Sequence, residues 1–176
     1  MKKVFLIAAM ALFGFGVQAQ DENGGGQTDM GSWLIEANTG FGAAAGSNTA
    51  FSLTSVDGDT SWSIGAEGGY FVADDLAVKV GLGYSDTTIG LLDYSSFNYK
   101  IGAKYYISSM IPVQVDYAGS SIKDADENPS YIGLQGGYAI FLGQNVSIEP
   151  GLRYNVALND FYEDALQFNV GFALHF

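Results

Sequence analysis

Few side chains in this chain can do covalent or acid–base chemistry. Its 176 residues include one histidine, His175, no cysteine, and 7 Lys and Arg against 19 Asp and Glu. Without cysteine there is no thiolate nucleophile, disulfide staple or thiolate-held metal. No Gly-x-Ser-x-Gly elbow, metal-binding histidine pair or Walker-type loop is spelled anywhere. A paired-carboxylate mechanism among Glu36, Glu67, Asp116 and Glu149 is the acid–base option that remains. Lys79, Lys100, Lys104 and Arg153 accompany those acids, and a cation beside a carboxylate holds it ionised and matched. The set therefore reads as four acids neutralised by four bases. His175, one residue from the C-terminus, is expected to play a structural part, and no catalytic residue, metal or cofactor is assigned. A net charge of −12 lacks the cations that neutralise phosphates, which excludes nucleic acid as a partner.

The elements that must position these charges repeat with period two. From Trp33 to Phe41 the odd positions are Trp33, Ile35, Ala37, Thr39 and Phe41, and the even ones include Glu36, Asn38 and Gly40. The same alternation recurs over 62–70, 76–84, 97–105, 113–119, 132–140, 146–154 and 166–176, with no charge in any apolar set. Links after the second, fourth and sixth strands are short, and the others are longer and polar. An even number of antiparallel strands with short turns at one end and long loops at the other predicts an all-β, eight-stranded antiparallel up-and-down transmembrane β-barrel. Pro150 lies inside the seventh strand, where it cannot donate to the ladder, and a local bulge is expected there.

The opposite face decides what the apolar face meets. A soluble barrel would cover its outside with charge, yet here that face holds Gly65, Gly69, Ala77, Gly81, Gly83, Gly102, Gly133, Gly151, Gly171 and Ala173. Small residues suit a crowded interior. Charged residues are 15% of the chain, below the roughly 25% of an average soluble domain. Aromatic residues gather at both strand ends, as at two membrane interfaces: Trp33, Tyr70, Tyr105 and Tyr138 at one, Trp62, Tyr84, Phe97, Tyr117 and Tyr154 at the other. Parity then turns all eight charges inward, and Glu36, Glu67, Lys79, Lys104, Asp116 and Glu149 fall about 7 to 13 Å from the turn end at roughly 3.3 Å per residue. They should form one plugging layer, with Glu67 directly opposite Lys79 across a turn centred on Ala73.

Lys2 and Lys3 precede an apolar run, Val4 to Val17, followed by Val17-Gln18-Ala19 with small residues at the cleavage positions. The run falls short of the about 20 residues of a membrane helix. Residues 1–19 are read as a signal peptide, 20–31 as a flexible Gly-rich lead-in, and 32–176 as the barrel domain.

The stretches 68–78 and 148–154, and the closing Leu166-Gln167-Phe168-Asn169-Val170-Gly171-Phe172-Ala173-Leu174-His175-Phe176, resemble the small porin-like outer-membrane β-barrel family of OmpX, OmpW and OmpA transmembrane-domain types. The resemblance spans roughly residues 31–176. It implies residence in the outer membrane of a Gram-negative-type bacterium, contact with outer-membrane lipid, and an assembly signal at Phe168, Val170, Gly171, Phe172, Leu174 and Phe176 read by the barrel assembly machinery. Family members include adhesins, envelope-stabilising proteins, narrow channels and lipid-modifying enzymes, so fold does not choose among them. Asp57, Asp59, Asp86, Asp93, Asp124, Asp126, Glu127, Asp160, Glu163 and Asp164 make the outer loops acidic, able to gather divalent cations or an extracellular ligand. The expectation is a monomeric, non-enzymatic barrel with a structural, surface-display or adhesion role and a charge-plugged lumen. A narrow channel for small solutes is the alternative, and a lipid-modifying enzyme the second alternative.

Overall fold

The computed structural model describes residues 26–41, 50–56, 59–89 and 92–176. The expected signal peptide, residues 1–19, lies outside these. The described chain forms β1 (Trp33–Phe41), β2 (Ser52–Val56), β3 (Asp59–Ala73), β4 (Leu76–Ile89), β5 (Leu92–Ile107), β6 (Ile111–Ile122), β7 (Ser130–Gly137), β8 (Ile140–Phe141), β9 (Val146–Ala157) and β10 (Ala165–His175). They pair antiparallel in the order β1-β10-β9-β7-β6-β5-β4-β3-β2, and β1 also pairs with β3 to close the ring. Closure removes the exposed sheet edges that an open sheet would leave in lipid. β1 and β2 share one stave: Trp33 to Glu36 face Tyr70 to Glu67, and Ser52 to Val56 continue against Ser63 to Asp59. β7 and β8 share another, both against β9. The molecule is therefore a closed eight-stranded antiparallel transmembrane barrel, as the alternation requires.

Alternation sets the two faces. Leu82, Ile101, Leu152 and Phe172 stand on the outer wall, each more than half exposed, while Glu36, Glu67, Lys79, Lys104 and Glu149 point inward and are buried. Apolar side chains at that density on the outside are suited to hydrocarbon rather than water.

Three local expectations are corrected. The turn after β3 is not centred on Ala73: Ala73 pairs with Leu76, Asp75 adopts the left-handed φ of 63°, and the register shifts between Phe71 and Ala73. Glu67 consequently faces Gly81, and Lys79 faces Gly69. Pro150 produces no bulge, since Gly137 pairs with Gly151 and Ile140 with Ile148 in one register. The ladder lapses at Tyr138 and Ala139 instead. Tyr138 N–H still donates to the Pro150 carbonyl at 3.0 Å, but proline cannot return the bond, and Ala139 N–H donates to Met110 at 2.7 Å. Finally, stretches read as loop are strand: β2 and the top of β3, and a β4–β5 hairpin that runs on to Ile89 opposite Leu92. Cross-strand Ser and Thr pairs, rather than apolar alternation, hold that extension.

Residues 26–31, read from sequence as the end of the lead-in, pack on the turn end. Gly31 N–H donates to the Phe71 carbonyl at 2.9 Å, Asp75 N–H to the Thr28 carbonyl at 2.7 Å, and Thr28 Oγ1 to Asp75 Oδ1 at 2.6 Å.

Candidate functional site

The strongest concentration of polar chemistry fills the barrel, and all eight charges predicted for the lumen meet there. Each is at most 5% exposed. Lys79 Nζ sits 2.7 Å from Glu36 Oε2 and 2.9 Å from Glu67 Oε2, so Glu67 and Lys79 pair diagonally rather than face to face. Lys100 holds the other Glu67 oxygen at 2.8 Å. Lys104 bridges Glu36, at 2.7 Å, and Glu149. Arg153 grips Asp116 with both terminal nitrogens at 2.6 Å, the planar two-bond geometry that guanidinium favours.

Neutral side chains, not singled out in the sequence, join these pairs into one network. Gln114 accepts from Lys79 at 3.0 Å and donates to Asp116 at 2.7 Å. Tyr106 donates its hydroxyl proton to Glu149 at 2.8 Å, and Asn38 Nδ2 donates to Glu67 at 3.0 Å. Arg153 Nε donates to Asn155, which donates onward to Gln167, both at 2.8 Å. Parity alone could have found them, because every one is an inward polar residue. Glycines clear the space: a side-chain carbon at Gly133 would strike the Arg153 guanidinium, and one at Gly102 would strike Asp116.

Below the charges, toward the turn end, lies an apolar floor of Leu34, Phe71, Tyr106, Ala77, Ala139 and Ala173, with Phe141 packed against it. His175 belongs to this floor. Its ring stacks on Phe71 with centroids 6.4 Å apart, and its nitrogens lie 3.0 Å from Ser147 Oγ and 3.1 Å from the Gln27 carbonyl. These contacts pack and hydrogen-bond the ring into the floor. Gln27 also donates to the Gly143 carbonyl, so the N-terminal segment covers the floor from below. Among the described residues the lumen thus holds an ion-paired layer above an apolar floor.

The residues expected to form an assembly signal lie on β10, with Phe176 just after it. Phe168, Val170, Phe172, Leu174 and Phe176 point outward by alternation, while Gly171 faces the lumen against Asn38 and Glu36. Phe176 and Trp33 exchange backbone hydrogen bonds of 3.0 Å in both directions, sealing β10 to β1.

At the loop end the acids are dispersed. Asp59, Asp86 and Asp93 lie within β3, β4 and β5 rather than in loops, and Asp57 lies outside the described residues. Asp164 caps its own loop: the Ala157 N–H, at 2.9 Å, and the Tyr154 hydroxyl, at 2.8 Å, hold its carboxyl below the ordinary range. Among the described residues no group of three or more acids or histidines converges as metal ligands.

No protein-family model and no curated protein matches the chain. The outer membrane protein Ail of Yersinia pestis, solved in a phospholipid bilayer nanodisc, superposes with a TM-score of 0.50 at 10% identity, over 83% of this chain and 99% of that one. The chain has the fold of a small outer-membrane β-barrel. OprG of Pseudomonas aeruginosa matches with a TM-score of 0.49 at 12% identity, over 86% of this chain and 99% of its own. The N-terminal barrel domain of OprF from the same organism matches at 0.46 and 14%, over 84% and 98%. At such identities the likeness is of fold, so what this barrel does must be argued from its own lumen and rim.

Proposed function

We propose that this protein is a monomeric, non-enzymatic barrel of the outer membrane that acts through its loop end, as a surface-display or envelope-structural protein, and does not conduct. The observation that carries this reading is the filling of the lumen, where eight buried charges stand over an apolar floor. An eight-stranded barrel is just wide enough for its own side chains, and these fill it with opposite charges in contact. A solute would have to part ion pairs whose buried members lose several kcal/mol of compensation each when separated. An apolar outer wall and a hydrogen-bonded ring complete what residence in a bilayer needs.

Lysine distribution provides the test. Past residue 19, Lys123 is the lysine outside the lumen, exposed beyond β6, while Lys79, Lys100 and Lys104 are buried. A membrane-impermeant amine reagent applied to intact cells is expected to modify Lys123 alone, read by peptide mass spectrometry, with the protein in the outer-membrane fraction. Labelling only after the outer membrane is breached would reverse the topology. Rapid labelling of the three lumen lysines in intact cells would open the barrel and favour the channel.

A further inference from the structure

We infer that the lumen-side face of the β2–β3–β4–β5 extension is a binding platform for a neutral glycan that reaches the barrel mouth from outside the cell. The inference rests on the outward loop end proposed above. Register aligns these four strands so that Ser52, Ser63, Ser85 and Ser96 stand side by side in one row. Ser61, Thr87 and Tyr94 form the row above, and Gly65, Gly83 and Asn98 the row below. All point to the lumen side, since they share parity with buried Glu67, Gly81 and Lys100. Sheet geometry spaces neighbours in a row by about 4.8 Å and alternate rows by about 6.8 Å, a regular hydroxyl lattice.

The hydroxyls pair across strands: Ser52 with Ser63 at 2.8 Å, Ser85 with Ser96 at 2.7 Å, and Ser61 with Thr87 at 2.9 Å. Each hydroxyl carries one proton and two lone pairs. A pair uses one proton internally and leaves one O–H and spare lone pairs, and rotating both hydroxyls reverses its direction. Each pair can therefore answer a donor or an acceptor, which is what the successive hydroxyls of a sugar demand. Gly65 and Gly83 leave depth beneath the serine row, and Tyr94, 47% exposed, offers an apolar ring to the C–H face of a pyranose. Deeper in the lumen, the Asn169 amide is buried with neither its oxygen nor its nitrogen bonded among the described residues.

Charge selects the occupant. No residue of the three rows is charged, so the face offers hydroxyls and an amide and no counter-charge, which suits a neutral polyol better than an anionic polymer. Orientation selects the source. The face looks across the barrel mouth, whereas sugars anchored on neighbouring lipids stand against the outer wall.

The test uses the full chain folded in lipid nanodiscs, a panel of neutral oligosaccharides including maltoheptaose and isomaltoheptaose, and heparin as the anionic probe. Wild type is expected to bind at least one neutral probe by titration calorimetry. Ser63→Ala with Ser85→Ala removes one member of two pairs and should weaken that binding roughly tenfold, the worth of about 1.4 kcal/mol. Tyr94→Ala should weaken it as well, and Tyr94→Phe should not. Ser55→Ala with Thr60→Ala, a hydroxyl pair 3.4 Å apart on the opposite face of the same strands, should leave binding unchanged. Heat-modifiable gel migration verifies that each variant is folded. Absence of neutral-probe binding in folded wild type, binding of heparin alone, or equal loss in the opposite-face variant would overturn the platform. None of these results touches the Lys123 labelling, so the platform can fail while the surface-barrel reading stands.

Discussion

Replacing Lys79 by Met removes the ammonium at the centre of the lumen network, where it touches Glu36, Glu67 and Gln114. Breaking a buried ion pair costs about 3 to 5 kcal/mol, most of it from the carboxylate left behind. Here each carboxylate keeps one cation, Glu36 with Lys104 at 2.7 Å and Glu67 with Lys100 at 2.8 Å. The expected loss therefore lies at the low end, about 3 kcal/mol. The network also dictates which second change repairs it. Glu36→Gln with Lys79→Met leaves three intact pairs, Glu67 with Lys100, Glu149 with Lys104, and Asp116 with Arg153, and should recover most of the loss. Glu67→Gln with Lys79→Met instead takes from Lys100 the carboxylate it pairs with, and should recover less. Urea unfolding in phospholipid vesicles, followed by the fluorescence of Trp33 and Trp62, measures all four proteins. Equal midpoints for wild type and Lys79→Met, or better rescue by Glu67→Gln than by Glu36→Gln, would refute the reasoning, because coupling must follow contact.

Three further outcomes follow from the same geometry. Gly133→Ala should cost about 1 to 3 kcal/mol by forcing Arg153 off Asp116, whereas Gly136→Ala, which meets nothing within 4 Å, should leave the unfolding midpoint unchanged or raise it. Leu152→Arg, on the outer wall at 57% exposure, should destabilise the barrel in vesicles by about 2 to 4 kcal/mol, read from the urea midpoint. Deleting Phe176 removes the backbone pair with Trp33 that closes β10 on β1, and the heat-modifiable form recovered from outer membranes should fall several-fold.

How much of this was legible depends on what wrote it. Strand number, facing and the eight lumen charges were readable because a charge on a face of glycine and alanine has nowhere else to point, and period two fixes that face. Register was not, because it depends on a turn whose left-handed residue is Asp75, not a glycine that would mark it. β2 and the tops of β3, β4 and β5 were hidden by their composition. Ser, Thr and Asp alternate there without an apolar face, and the strands persist through cross-strand hydroxyl bonds and pairing with neighbours. The apolar floor was missed because Leu34, Phe71 and Tyr106 occupy the parity reserved for small and charged residues, and only closure of the ring brings them together. Thr28 and Gln27 sit in a stretch that composition marks as a linker, and their docking depends on partners more than 40 residues away in sequence, Asp75 and His175.

Conductance of the purified full chain in a planar lipid bilayer addresses the closed lumen most directly. With the ion-paired layer and apolar floor both in place, wild type should insert without discrete current steps at voltages the bilayer withstands, and Lys79→Met should stay silent as well, since the floor of Leu34, Phe71 and Tyr106 is untouched. Stable ohmic steps in folded wild type, increased by Lys79→Met, would make the charged layer a gate and contradict the account.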